Sequence, residues 1–117
     1  MGGAKMNKNF DELYFFAGIK ERPQLYLGKK SLTTVKTYIF GMMQAFAICG
    51  NNNAFRYLNM FTDWYYKNKL TDKNGYASMW NHILYISAID EALAFENFFK
   101  IFEEYLKQEH DLELPEV

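Results

Sequence analysis

Few side chains in this 117-residue sequence are of the types that do chemistry, and their spacing is unhelpful to it. The two histidines, His82 and His110, lie far apart in sequence, and neither sits at a metal-ligand spacing from another donor. Cys49 is the single cysteine, so no internal disulfide can form. It lies in the apolar run Ala45–Phe46–Ala47–Ile48–Cys49 and reads as a small core residue rather than a reactive thiol. No serine occupies a nucleophile turn, no cysteine pairs with a histidine, and no Gly-rich loop opens a helix at phosphate-binding spacing. Glu103 and Glu104 are adjacent, but neighbouring helical positions diverge by about 100°, so the pair need not share a site. No catalytic residue, cofactor site or metal site is expected. Cys49 and His82 are the first pair to inspect should a metal be found.

Charge says more. The net charge is only −1, yet residues 1–89 hold 11 Lys/Arg against 5 Asp/Glu, and residues 90–117 hold 2 Lys against 9 Asp/Glu. An acidic end argues against direct nucleic-acid binding and for a basic protein partner. The aromatic content, 19%, could suggest base stacking beside a basic patch of Lys29, Lys30, Lys67, Lys69 and Lys73. Most of the aromatics recur at core spacing, however, and a solvated patch is the favoured reading.

The elements that must position these groups are helical. Asn9 or Asn7 can cap a first helix reaching about Arg22, with Asp11 and Glu12 suited to its positive end. Pro23 stops it, and residues 23–28 read as a connector with a turn at Gly28. Ser31 caps a second helix to about Cys49, whose Leu32, Val35, Ile39, Met42, Phe46 and Cys49 recur every three or four residues. Gly50 and Asn51–Asn52 stop it. Asn53 caps a third helix to about Leu70, burying Leu58, Phe61, Trp64 and Tyr65 and turning Arg56, Asn59, Asp63 and Lys67 outward. Asp72–Lys73–Asn74–Gly75 is a turn, and a fourth helix runs from about Tyr76 to Ile86. Asp90 caps the last, to about Gln108, with the stripe Phe95, Phe98, Phe99, Phe102, Tyr105 and Leu106. Glu96–Lys100 and Glu103–Lys107 stand in the favourable i,i+4 order.

The expected fold is therefore all-α, a compact bundle of about five helices in one domain over residues 9–110. Residues 1–8 read as a loose N-terminus, with 1–5 a vector-derived leader before a native start at Met6. Residues 111–117 read as an acidic tail that frays. Half of the residues are hydrophobic, too many for disorder. No stretch approaches the ~20 apolar residues of a membrane span, and no signal peptide is visible. Cytoplasm is the expected location.

Two stretches together resemble small helical immunity proteins encoded beside polymorphic or contact-dependent growth inhibition toxins. The first is Arg22–Pro23, then Tyr26–Leu27–Gly28–Lys29, then Ser31–Leu32, running into Tyr38–Ile39–Phe40–Gly41. The second is Trp80 with Ile83, then Ser87, Glu91–Ala92, Ala94–Phe95, Phe98–Phe99 and Phe102. Leu25 stands where Met is expected, a volume-conserving change. The resemblance implies a cytoplasmic protein that binds and neutralises a cognate toxin domain by stoichiometric inhibition. Many such toxins are nucleases with basic clefts. On that reading Glu96, Glu103 and Glu104, with Asp63 as a neighbour, form the toxin-binding surface. Two other readings stand beside it: a helical adaptor or homo-oligomer without a toxin partner, and a small-molecule enzyme or binder. Residues 22–28 also resemble the Arg-Pro-x-Met-Tyr-Ile-Gly segment of type II topoisomerase ATPase subunits. The acidic helix motif and later Gly-rich turns that ATP binding needs there are missing.

Overall fold

The structure, a computed structural model, describes residues 10–70 and 78–117. They form six helices: α1 Glu12–Glu21, α2 Pro23–Leu27, α3 Leu32–Ile48, α4 Arg56–Asn68, α5 Met79–Ile86 and α6 Glu91–His110. The fold is all-α, with no strand among the described residues. The expected turn at 72–75, and Tyr76, lie outside those residues. The sixth helix is α2, read from sequence as a connector. Pro23 stands at its first position, where a missing N–H costs nothing and the fixed φ suits a helix. Gly28, at φ +81°, ends it.

α6 is the axis of the core. Ala94, Phe95, Phe98, Phe99, Phe102, Tyr105 and Leu106 are all buried, the stripe expected from sequence. Phe16 of α1 packs on Phe102 at 4.9 Å between ring centroids, Phe61 of α4 packs on the same ring at 5.1 Å, and Trp80 of α5 stacks on Phe98 at 5.2 Å. α3 adds Leu32, Val35 and Ile39. Its seam fades after that: Met42 and Phe46 are half-buried and Cys49 is exposed, which corrects the core assignment of that thiol. The last turn of α3 projects beyond its neighbours, leaving Ile48 84% exposed. Gly50, at φ +85°, closes it, with the Asn51 N–H donating to the Phe46 carbonyl at 2.9 Å. The acidic tail turns back onto the bundle. Asp111 turns left-handed, the Leu112 N–H donates to the Leu106 carbonyl at 3.1 Å, and Leu112 and Leu114 pack on the core.

Helix starts follow one repeated device. Asp11 caps α1 through the Tyr14 N–H at 3.1 Å, a role the sequence reading gave to Asn7 or Asn9. Asp90 caps α6 through the Leu93 N–H at 3.0 Å, as expected. Each aspartate is followed by a glutamate whose side chain leaves its own helix and caps another. Glu12 accepts the Tyr57 and Leu58 N–H groups at the start of α4, both at 2.8 Å. Glu91 accepts the Thr33 N–H at the start of α3 at 2.8 Å and both the Thr33 and Ser31 hydroxyls, at 2.6 and 3.1 Å. Ser31 itself accepts the Thr34 N–H at 3.2 Å, the expected cap. Asn53 does not cap α4. The helix begins only at Arg56, behind Phe55, whose side chain accepts nothing, so Glu12 supplies the missing acceptor. Each carboxyl thus joins two helix N-termini whose positive ends would otherwise repel.

Candidate functional site

The four acidic residues expected at a partner surface separate into two groups. Glu96, Glu103 and Glu104 all project from α6 and all meet lysines from other elements. Lys20 of α1 reaches Glu103 at 2.5 Å, Lys30 before α3 pairs with Glu96, and Lys69 after α4 reaches Glu104 at 3.2 Å. The expected i,i+4 pairs within α6 are not formed: Lys107 turns to Asp111 at 3.0 Å. Residues 20, 30, 96, 100 and 103 surround Phe95 and Phe99 in a shallow groove of about 460 Å³. Its two glutamates face three lysines, so this surface is not the acidic face that a charge count along the sequence suggests. Linear charge segregation is undone by folding, because Lys20, Lys30 and Lys69 from the basic residues 1–89 lie against α6. The presumed basic side and acidic side are one surface, since Lys69 pairs with Glu104.

Asp63 stands apart. It is exposed on α4, and among the described residues no cation pairs with it; Lys67, one turn on, does not. It lines a cleft of about 510 Å³ between α3, α4 and α5, whose walls include Phe40, Met43, Asn59, Tyr66 and Trp80. Leu58 and Met79 close its floor, both buried. The Tyr66 hydroxyl accepts the Met79 N–H at 3.0 Å, pinning the start of α5 to α4. Phe40 meets Trp80 edge-on at 6.3 Å, pinning α3 to α5. Phe40 is nevertheless 46% exposed and Tyr66 39%. Among the described residues of the lining, Asp63 is the sole acidic or basic side chain.

The remaining polar groups hold helices together. The Tyr65 hydroxyl meets His82 Nδ1 at 2.6 Å, and burial pushes the Tyr65 phenol up to about 12. Ser87 donates to the Ile83 carbonyl at 2.7 Å and accepts from Asn97 at 2.9 Å, tying α5 to α6. The Tyr105 hydroxyl meets His110 Nε2 at 2.7 Å, and burial, then the charge of Glu109, raises that phenol to about 12 as well. The His82 pair packs α5 on α4, and the His110 pair closes the end of α6. Among the described residues no group of three or more His, Cys, Asp or Glu could hold a metal ion. No helix among them is long and apolar enough to cross a membrane.

A hollow of about 600 Å³ lies beside Glu12, with Asp11, Arg56 and Tyr57 on its wall. Both Glu12 oxygens are committed to α4, and the residue is only 6% exposed. Burial raises its carboxyl to about 7, against the two backbone hydrogen bonds and the Arg56 charge, which lower it. Glu91 goes the other way. Burial there is outweighed by the hydrogen bonds from Thr33 and Ser31 and the charge of Lys29, and its carboxyl lies below the ordinary range.

The segments 22–41 and 80–102 meet in one packing unit. Ser31 and Thr33 bind Glu91, Lys30 pairs with Glu96, and Phe40 meets Trp80. What they share is largely capping and core chemistry. Sequence reasoning missed the capping roles of Glu12 and Glu91, the participation of Phe40 and Tyr66 in the Asp63 cleft, and the bend after α5. There Ala88 and Ile89 both adopt positive φ, +58° and +61°. The repeated Asp–Glu dipeptide, 11–12 and 90–91, is the signal that could have found the caps. The chain matches no protein-family model, no curated protein and no solved structure.

Proposed function

We propose that the chain is an immunity protein. It binds a cognate bacterial toxin domain, a nuclease by preference, in the cytoplasm and neutralises it by stoichiometric binding without catalysis. The observation that carries the reading is the cleft at Asp63: partly exposed aromatic side chains around one carboxylate that no cation among the described residues pairs with, on a scaffold where Glu96, Glu103 and Glu104 of α6 are each paired with a lysine. Aromatic rings with an isolated charge are the chemistry of an interface anchor. A basic toxin would be steered by opposite charge and held by aromatic contacts. Glu96, Glu103 and Glu104 then contribute as a rim, since each would have to release a lysine before meeting a toxin cation.

The test is co-purification of the chain with the toxin domain encoded beside it, followed by association kinetics. Asp63→Lys is expected to weaken binding more than the double reversal Glu103→Lys, Glu104→Lys. Loss of binding only in the double variant would return the interface to α6. Absence of any toxin partner would sink the reading.

One observation favours a second reading, a helical adaptor or homo-oligomer. Tyr85, Ile86 and Ile89 are 58%, 50% and 65% exposed around the bend between α5 and α6. Self-association through this apolar knuckle would show as a mass that grows with concentration in light scattering, and Ile89→Asp would abolish it.

A further inference from the structure

The geometry points to the Asp63 cleft as a receptor for one basic side chain of a partner protein, an arginine. This rests on the binding-protein reading above and narrows it to one contact. Three features select the occupant. Among the described residues the lining carries a single acidic side chain and no basic one, and no cation pairs with that carboxyl, whereas Glu96, Glu103 and Glu104 are each paired within the fold. The space beside Asp63 is walled by rings: Phe40 and Tyr66, both partly exposed, with Trp80 behind them. The volume, about 510 Å³, takes a long side chain and excludes a bulky fold element.

A guanidinium fits these walls better than an ammonium. It is planar, stacks on aromatic faces and presents paired donors to a carboxylate, while its methylene stem covers apolar wall. Asn59, one turn before Asp63 on α4, offers a further amide acceptor from the same face of the cleft. The rings already attract cations. The Lys36 ammonium lies over Phe40 at 5.9 Å from the ring centre. It reaches the ring from α3 and forms no ion pair with Asp63, so among the described residues no cation is committed to the carboxylate. Glutamate or phosphate on the partner would be repelled, and an aliphatic side chain would leave Asp63 without a counter-charge.

The probe is N-acetyl-arginine-methylamide, titrated into the isotopically labelled full chain and followed by NMR. The lysine and glutamate analogues are run in parallel. No toxin is needed, so failure of the cleft and failure of the immunity reading are distinguishable. The arginine compound is expected to shift the Trp80 indole N–H and the Asn59 side-chain amide with an affinity on the order of 1 mM, typical of one side chain alone. The lysine compound should bind several-fold more weakly and the glutamate compound not at all. Asp63→Asn should weaken the arginine compound roughly threefold to tenfold, and Phe40→Ala by a similar factor, as expected for one partly exposed charge contact and one cation–π contact. Unchanged backbone spectra elsewhere in both variants would verify folding. The proposal is overturned if the cleft resonances do not respond to arginine, or respond equally in Asp63→Asn. It is also overturned if they shift with protein concentration alone, which would make a second copy of the chain the occupant.

Discussion

Glu12 and Glu91 perform the same task and titrate in opposite directions. Each follows an aspartate that caps its own helix, and each leaves that helix to accept hydrogen bonds at the N-terminus of another. Glu12 binds only two backbone N–H groups from a position that water barely reaches. Glu91 is half-exposed and receives one N–H and two hydroxyls, with Lys29 nearby. Burial decides the first carboxyl and donors decide the second, so one lies near 7 and the other below the ordinary value. Capping by a carboxylate therefore does not by itself fix its charge. The balance of solvent and donors does.

The largest difference should appear on deletion. Glu12→Ala leaves the N–H groups of Tyr57 and Leu58 without acceptors, with Leu58 fully in the core. No local residue can substitute, because Phe55 occupies the cap position and Asn53 lies too far back. A loss of about 2–4 kcal/mol is expected by urea unfolding, the cost of two donors partly stranded from water. A loss under about 1 kcal/mol would mean that water enters the neighbouring hollow and takes the carboxylate's place.

The next effect is a slope rather than an offset. With the folded carboxyl raised from 4.5 to about 7, the native state keeps a proton that the unfolded chain has already released. This contribution to stability is complete below pH 4.5 and disappears as pH rises through 7. Comparing wild type with Glu12→Gln at each pH cancels every other titrating group. The stability of wild type relative to Glu12→Gln is expected to fall by as much as about 3 kcal/mol from pH 4.5 to 8, at about 1.4 kcal/mol per unit of pKa. A constant gap would show that the two N–H groups hold Glu12 ionised throughout, and the contrast with Glu91 would vanish.

Local chemistry was legible in the sequence and distant chemistry was not. Ser31, Asp90, Gly28 and Gly50 act within a turn of themselves, and each is where its type predicts. The α6 stripe was legible because five aromatic rings and a leucine recur at helical spacing. Glu12 reads from sequence as a charge suiting its own helix and Glu91 carries no assigned role there, since neither position states which second helix will begin beside it. The lysines that neutralise α6 are hidden for the same reason: Lys20 and Glu103 are 83 positions apart. Cys49 shows the opposite failure. Its spacing is right for the seam of α3, but the seam outruns the neighbours that could bury it. Asp63 was placed correctly on the outer face of α4, while its cleft needs α3 and α5 to exist.

The smallest effect tests the second carboxyl. Glu91→Ala removes the acceptor for the Thr33 N–H and for two hydroxyls; the Thr33 groups lie where water can replace it, while the Ser31 hydroxyl is buried. Ser31 still accepts the Thr34 N–H, so α3 keeps half of its cap. The expected loss is about 1 kcal/mol near neutral pH, in the range of a single N-cap. Its pH dependence should be the reverse of that at Glu12. A lowered folded-state pKa means that the contribution of Glu91 is present above the ordinary carboxyl value and is lost as pH falls through the folded one. The gap between wild type and Glu91→Ala should therefore close in acid, where wild type stands highest relative to Glu12→Gln. Hydrogen exchange gives the local counterpart: the Thr33 amide should lose protection in Glu91→Ala while the Thr34 amide keeps most of its own. Equal losses at both would mean that the Ser31 hydroxyl holds its place only through Glu91. The two caps of α3 would then be one cooperative unit rather than two.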